Sequence, residues 1–231
     1  VDINAASDVK NNLNHGFSEG LEGVKFINAD LSGAKMSGVY FINGQLDGAT
    51  LKGADLSEAY LQNADLHGAK LQGTNFIGAT LKNADFKGVE VGEFEGAKTD
   101  VSGAYLQNAD LSGGLALTTG NVTFKTDTKT VELTGANLSG AQLDGHNLSE
   151  LEIKHANLSG IDLSTAILKD GNFQNVNFSN AKFTGLNITG ADFQHANLEG
   201  TYIPQNLAGN YAANNVAGWE SVEKVQALGT P

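Results

Sequence analysis

Residues 54–68, cut into fives, read ADLSE, AYLQN, ADLHG. Leu56, Leu61 and Leu66 hold the centre of each quintet. Extended in both directions, the frame places Leu21, Phe26, Leu31, Met36, Phe41, Leu46 and Leu51 before them, and Leu71, Phe76, Leu81, Phe86 and Val91 after. It resumes at Val101, Leu106 and Leu111, with a single failure at Gly96 in 19–113. A second ladder runs over 131–205 from Leu133 through Leu138, Leu158, Phe173, Phe178, Phe183 and Phe193 to Ile203. Helices repeat every 3.6 residues and strands every 2, so a period of five belongs to neither. It fits a backbone that turns a corner at every fifth step, with the bulky central side chain inside. The residue two before each centre also faces inward and is small, as at Ala29, Ala54, Ala64 and Ala84. Gly or Asn closes many quintets, as a tight corner requires.

The second ladder sets the number of quintets per coil. ANLSG at 136–140 and 156–160, VNFSN at 176–180 and ANLEG at 196–200 recur every twenty residues. Four sides therefore close one coil, and the walls form a square tube. Asn137, Asn157, Asn177 and Asn197 then stack in one column, about 4.8 Å apart, close enough for amide-to-amide hydrogen bonds. One coil buries too few side chains to stand alone, so stacking supplies the stability.

These quintets resemble the pentapeptide-repeat family, whose consensus is A(D/N)LXX. ADLSG at 29–33 and 109–113, ADLSE at 54–58, ADLHG at 64–68 and the two ANLSG quintets carry the likeness. The resemblance implies an all-β fold, a right-handed quadrilateral β-helix with Leu or Phe inside. It implies no single function, because the family is a scaffold put to several uses.

Two interruptions divide the chain. In 92–100, GEFEGAKTD, either Phe94 bulges in to replace the missing centre, or five residues loop out. Only the second would put Tyr60 and Tyr105, from the near copies AYLQN at 59–63 and 104–108, in one column. The segment 114–130 separates the ladders. The step from Leu111 to Leu133 equals one side plus a 17-residue insertion, or one coil distorted by two residues. A projecting hairpin through Val122 and Phe124 would make these two residues candidate partner contacts. A solenoid must also hide its end coils. Residues 1–18 offer a cap with Val9, Leu13 and Phe17 on one helical face, and 206–231 a cap helix with Trp219, Val222, Val225 and Leu228. Trp219 packs on the last coil in one reading. In the other it is a partner contact, in the C-terminal homodimer that family resemblance suggests.

Composition bounds the function. Net charge is −12, and all basic residues are Lys. Phosphate contacts need clustered positive charge, so direct nucleic-acid binding is not expected. No apolar run reaches membrane-spanning length, so no membrane partner is expected. There is no Cys to carry thiolate chemistry. His155 and His195 share a column with Asn175 between them, about 10 Å apart and beyond common metal reach. No catalytic, metal or cofactor site emerges. The expected function is a non-catalytic scaffold that mediates protein–protein interaction with a partner of unknown identity. A second reading follows from the resemblance: an acidic DNA mimic that binds a type II topoisomerase (gyrase). The Lys residues count against it, with 13 acids to 7 Lys in the first ladder and 8 to 3 in the second. A third is a domain of a secreted bacterial protein, so that the bacterial cytoplasm and a secreted or periplasmic location both stay open.

Overall fold

The computed structural model describes residues 21–112, 117, 122–124, 131–143, 145–183 and 187–201. Each quintet contributes one corner and one short wall. At the first corner, Val24 N–H donates to the Leu21 carbonyl (3.2 Å) and Gly23 sits at φ +66°. The next repeats it: Ala29 N–H donates to Phe26 O (3.0 Å), with Asn28 at φ +56°. A four-residue turn with its third residue left-handed is the type II pattern, which favours Gly or Asn there. This is the physical origin of the Gly and Asn that close the quintets. Glu58, Asp170, His155 and His195 take the same left-handed conformation, at φ +57° to +60°. Each costs about 1 kcal/mol or more relative to Gly.

Between corners the chain is extended for too few residues to make a long strand, and each wall pairs with the coils above and below. Phe26 N–H donates to Gln45 O (2.7 Å), and Gln45 N–H to Val24 O (2.8 Å). The same parallel exchange climbs the first face through Lys25, Gln45, Asp65, Asp85, Asp110, Asn137, Asn157, Asn177 and Asn197. The second face carries Asp30, Thr50, Lys70 and Glu90, and higher up Asp162 and Lys182. The third carries Lys35, Asp55, Asn75 and Asp100, then Thr123, and higher up Asn147 and Ile167. The fourth carries Tyr40, Tyr60, Thr80, Tyr105, Glu132 and Glu152. The molecule is thus a four-sided β-solenoid, right-handed as parallel β-crossovers almost always are.

The two interruptions differ in kind. Lys70 pairs with Glu90, twenty residues on, but Asn75 pairs with Asp100 and Thr80 with Tyr105, twenty-five on. Five residues therefore leave the wall between the second and third faces. They form a hairpin in which β1 (Glu93–Phe94) runs antiparallel to β2 (Ala97–Asp100), Glu93 opposite Lys98 and Phe94 opposite Ala97. Of the two readings of 92–100, the looped-out quintet is the one adopted. Phe94 does not enter the core; it folds back outside, half-buried over the corner glycines Gly53 and Gly73. A side-chain carbon built on Gly73 would lie 2.9 Å from Phe94 Cβ and 3.1 Å from Ala97 O, and one built on Gly53 3.0 Å from the ring, so Gly73 admits the hairpin and Gly53 its ring.

The second interruption is one distorted coil, but the distortion is larger than the two residues expected. Tyr105 pairs with Glu132 and Asp110 with Asn137, twenty-seven residues on. Leu111 and Leu133 lie on the first and fourth faces, three sides apart, with seven extra residues spread over that coil. The projecting-hairpin reading fails for Val122 and Phe124. β3 (Val122–Thr123) pairs in parallel with Thr99 and Asp100, and Val101 N–H donates to Thr123 O (2.9 Å). Both side chains are therefore turned into the tube, where each is 2% exposed. Phe124 takes the central position above Val101 and stacks on His146 at 4.4 Å. Leu117 is also buried, and the remainder of 114–130 lies outside the described residues. So do both expected caps, 1–18 and 206–231, with Trp219. Among the described residues the only helical element is a 3-10 turn at Leu148–Glu150, capped by Asn147.

Among the described residues the core is one column of apolar side chains, with Thr74, Thr99, Ser102, His146 and Thr201 as its buried polar members. Leu56, Leu61, Leu66, Leu138 and Leu158 are fully buried, as are Phe173, Phe178, Phe183 and Phe193. The four phenylalanines form a cluster: Phe178 meets Phe173 and Phe183 edge-on at 5.8 and 5.3 Å, and Phe193 lies over Phe173 at 5.2 Å. Edge-to-face geometry at these separations is favourable beyond simple burial. Where Thr replaces the small Ala, its hydroxyl is satisfied by the wall itself, Thr74 Oγ1 donating to Leu51 O (2.8 Å) and Thr99 Oγ1 to Leu71 O (2.6 Å).

Candidate interaction face

With the core closed, the outer residues are what a partner can meet. On the first face, Asn157 Nδ2 donates to Asn137 Oδ1 (3.0 Å) and Asn177 Nδ2 to Asn157 Oδ1 (2.9 Å). Asn197 continues the backbone ladder, and its Oδ1 accepts Glu199 N–H (3.0 Å). Each of Asn137, Asn157 and Asn177 also accepts the N–H of the Ser two residues on. Their amides are thus consumed by the wall, which makes this column a brace rather than a surface of free donors. A second amide ladder runs up the corner between the fourth and first faces. Asn63 donates to Asn43 and Asn83 to Asn63 (3.0 Å each), and Asn108 to Asn83 (3.4 Å). Sequence reasoning missed it, although Asn43, Asn63 and Asn83 stand twenty apart; the hairpin shifts the fourth member to Asn108. His155 and His195 occupy the same corner higher up. They are not brought together, and among the described residues no cluster of three His, Asp or Glu is arranged to hold a metal.

Lys is interspersed with acid on the first three faces. Asp65, Asp85 and Asp110 are successive on the first face, but Lys87 Nζ reaches Asp110 Oδ2 at 2.8 Å. Burial pushes the Asp110 carboxyl up, yet hydrogen bonds from Lys87 and from the Ser112 hydroxyl and N–H outweigh it and hold the carboxyl below its ordinary range. Lys87 is raised in turn, chiefly by that hydrogen bond. On the second face Lys182 lies 3.6 Å from Asp162, whose carboxyl is lowered first by hydrogen bonds from Ser164 and then by Lys182. Lys35 and Lys70 interrupt the third and second faces.

The fourth face differs. Tyr40 and Tyr60 stack with ring centroids 4.4 Å apart and planes 9° from parallel. Thr80 follows, then Tyr105, which is 43% exposed. Among the described residues the exposed large apolar side chains are these three tyrosines, Ile27 and Ile167, so aromatic exposure is confined to this face.

Sequence-family comparison agrees with the geometry. The model for pentapeptide repeats matches residues 21–53 and 51–88, and that for a pentapeptide repeat region matches 126–204, together well over half of the chain. The chain belongs to the pentapeptide-repeat family. Families of this kind are generally structural and interaction proteins. No curated protein sequence matches it. Among solved structures it is similar to HetL from the cyanobacterium Nostoc sp. strain PCC 7120, a pentapeptide-repeat protein involved in heterocyst differentiation regulation. Identity is 23%, over 86% of this chain and 92% of that one, with a TM-score of 0.42. It is also similar to a trypsin-treated variant of QnrB1, a plasmid-mediated fluoroquinolone resistance protein (23% identity, 85% and 88% covered, TM-score 0.34). A pentapeptide-repeat protein of the Arabidopsis thaliana thylakoid lumen matches at 22% identity over 87% and 84%, with a TM-score of 0.23.

Proposed function

We propose that this pentapeptide-repeat solenoid is a non-catalytic scaffold that docks a protein partner on its fourth face. The observation that carries the reading is the tyrosine column: Tyr40, Tyr60 and Tyr105 stand outward in register on a rigid wall, each 37–43% exposed. Aromatic side chains on a rigid support present large area at small entropic cost, and they dominate protein interfaces. The first face, by contrast, spends its amides on itself, and the second and third carry Lys among their acids.

The acidic-mimic reading has one feature in its favour, the run Asp65, Asp85 and Asp110. It is short. Asn137 follows it, Lys87 neutralises its last member, and a duplex mimic needs a continuous negative stripe. A gyrase supercoiling assay is expected to show neither protection nor inhibition.

The test of the docking reading compares two variants of the full chain in chemical crosslinking to host proteins. One has Tyr40, Tyr60 and Tyr105 replaced by Ala; the other has Asp30, Thr50 and Lys70 replaced by Ala on the second face. The crosslinked partner is expected to disappear only with the first. Equal retention by both variants, or equal loss, would overturn the assignment to the fourth face.

A further inference from the structure

The tyrosine column is interrupted in a way that specifies what it receives. Tyr60, Thr80 and Tyr105 are successive rungs, locked by Tyr105 N–H to Ala79 O (2.9 Å) and Leu81 N–H to Tyr105 O (2.8 Å). The backbones of Tyr60 and Tyr105 are therefore two coil spacings apart, about 9–10 Å. Tyr40 and Tyr60, one spacing apart, stack face to face. Among the described residues no ring contact joins Tyr60 to Tyr105. Thr80 thus leaves a notch one ring wide: a flat ring halfway up would lie about 4.8 Å from each tyrosine, within the usual range for aromatic pairs.

The rims of the notch carry opposite charges. Lys82 lies two residues beyond Thr80 on the same outward side and forms no ion pair among the described residues. On the opposite rim the Glu58 carboxylate lies over Gly78, where a side-chain carbon would come within 2.5 Å of it. Lys82 gives its rim a local preference for an anion, since charges farther off than about 8 Å are screened at physiological salt.

We infer that the Thr80 notch receives one aromatic side chain of a partner protein, inserted between Tyr60 and Tyr105, with a carboxylate neighbour for Lys82. The inference rests on the docking reading of the fourth face and deepens it. Insertion would complete a four-ring column, Tyr40, Tyr60, the partner's ring and Tyr105, and would remove the two exposed ring faces from water.

The probe is the peptide acetyl-Lys-Trp-Glu-amide, titrated into the full chain and followed by NMR. Its indole protons are expected to move upfield as they enter between two rings. Acetyl-Lys-Leu-Glu-amide, which keeps the charges and lacks the ring, is expected to bind about tenfold more weakly, as the loss of two aromatic contacts implies. Thr80→Tyr fills the notch with the chain's own ring and should abolish the upfield shift while leaving the thermal midpoint equal or higher. Tyr105→Ala removes one wall and should weaken the tryptophan peptide without affecting the leucine peptide. Equal affinity for the two peptides, or undiminished binding to Thr80→Tyr, would overturn the inference. So would a dimer in sedimentation that Thr80→Tyr dissolves, since the occupant would then be a second copy. Loss of the crosslinked partner in the tyrosine variant, together with no peptide binding, would remove the notch and leave the docking face standing.

Discussion

Tyr60 and Tyr105 are forty-five residues apart in sequence, yet they share one column, two coils apart on the fourth face. The relation exists because five residues leave the wall between Glu90 and Asp100, and with them the register after residue 93 moves by one side. Without that excursion Tyr105 would fall on the first face and the tyrosines would be scattered. The hairpin at β1 and β2 is thus what aligns the surface on which the proposed function depends.

That dependence makes Gly73 a sensitive position. Gly33 and Gly73 have nearly the same backbone, φ +66° and +68°, and differ in what an added side-chain carbon would meet: nothing within 4 Å at Gly33, but Phe94 Cβ at 2.9 Å and Ala97 O at 3.1 Å at Gly73. Gly33→Ala is expected to cost about 1–2 kcal/mol from the left-handed conformation alone. Gly73→Ala should cost a further ~1–3 kcal/mol by overpacking against the hairpin. In the Phe94→Ala background that excess should persist, because Phe94 Cβ and the carbonyls of Phe94 and Ala97 are the obstacle and all of them remain. Urea denaturation of the four proteins checks this; equal costs at the two glycines would mean the hairpin is not docked there.

The fold was legible in the sequence wherever the period held. Leu56, Leu61 and Leu66 point inward because the spacing leaves them no other place, and Asn137, Asn157 and Asn177 meet because they recur every twenty residues. Legibility stopped where residues leave the frame. A missing centre at Gly96 is compatible with a bulge or a loop, and only the pairing of Asn75 with Asp100 decides between them. The alternation around Val122 and Phe124 resembles a hairpin strand, but a solenoid wall alternates in the same way, inward at 122 and 124 and outward at 123. The tyrosine column was half visible, in the two copies of AYLQN, and needed the register to become a surface.

The aromatic cluster should be the least forgiving part of the second ladder. Phe178 touches Phe173, Phe183 and Phe193, all fully buried. Phe178→Ala is expected to cost about 3–5 kcal/mol, and Phe178→Leu distinctly less. Coils communicate only with their neighbours, so the loss should be concentrated nearby. Hydrogen exchange is expected to accelerate at Phe178 and Leu158 amides while Leu56 and Leu61 amides stay protected.

Asn157 gives a finer test of the amide column. Its Nδ2 donates to Asn137, and its Oδ1 accepts from Ser159 N–H and Asn177 Nδ2. Asn157→Asp keeps the acceptor for the turn and removes the donor, so one link is lost and one remains. The expected cost is about 0.5–1.5 kcal/mol in the urea midpoint. No change would mean that the column adds nothing beyond the backbone ladder.

Lys87 and Asp110 give the protein a pH signature with a definite sign. The Asp110 carboxyl titrates below its ordinary value, so the folded state favours its charged form. A depressed carboxyl adds stability above its unfolded-state pKa, and that stability fades as pH falls through the folded one. Wild type should therefore exceed Asp110→Asn in stability at neutral pH, and the gap should close as pH is lowered from about 5. Lys87→Met should narrow the same gap at neutral pH. A gap that widens in acid would contradict the assignment.

The last prediction separates the wall from the surface at Phe124. Had Val122 and Phe124 formed a projecting hairpin, replacing Phe124 would alter binding and spare stability. The ring instead sits in the tube above Val101 and against His146, 2% exposed. Phe124→Ala leaves a cavity under the next coil and is expected to cost about 3–5 kcal/mol. The damage should reach the adjacent Val101 and Leu148 rungs, and hydrogen exchange there should rise before the far coils respond. Tyr105→Ala, in the outer column of the same coil as Val101, is the matched control, expected to change the denaturation midpoint by less than about 1 kcal/mol because an exposed ring buries little. A stable Phe124→Ala protein would place that side chain outside the tube and contradict the pairing of Thr123 with Asp100 that turns it inward.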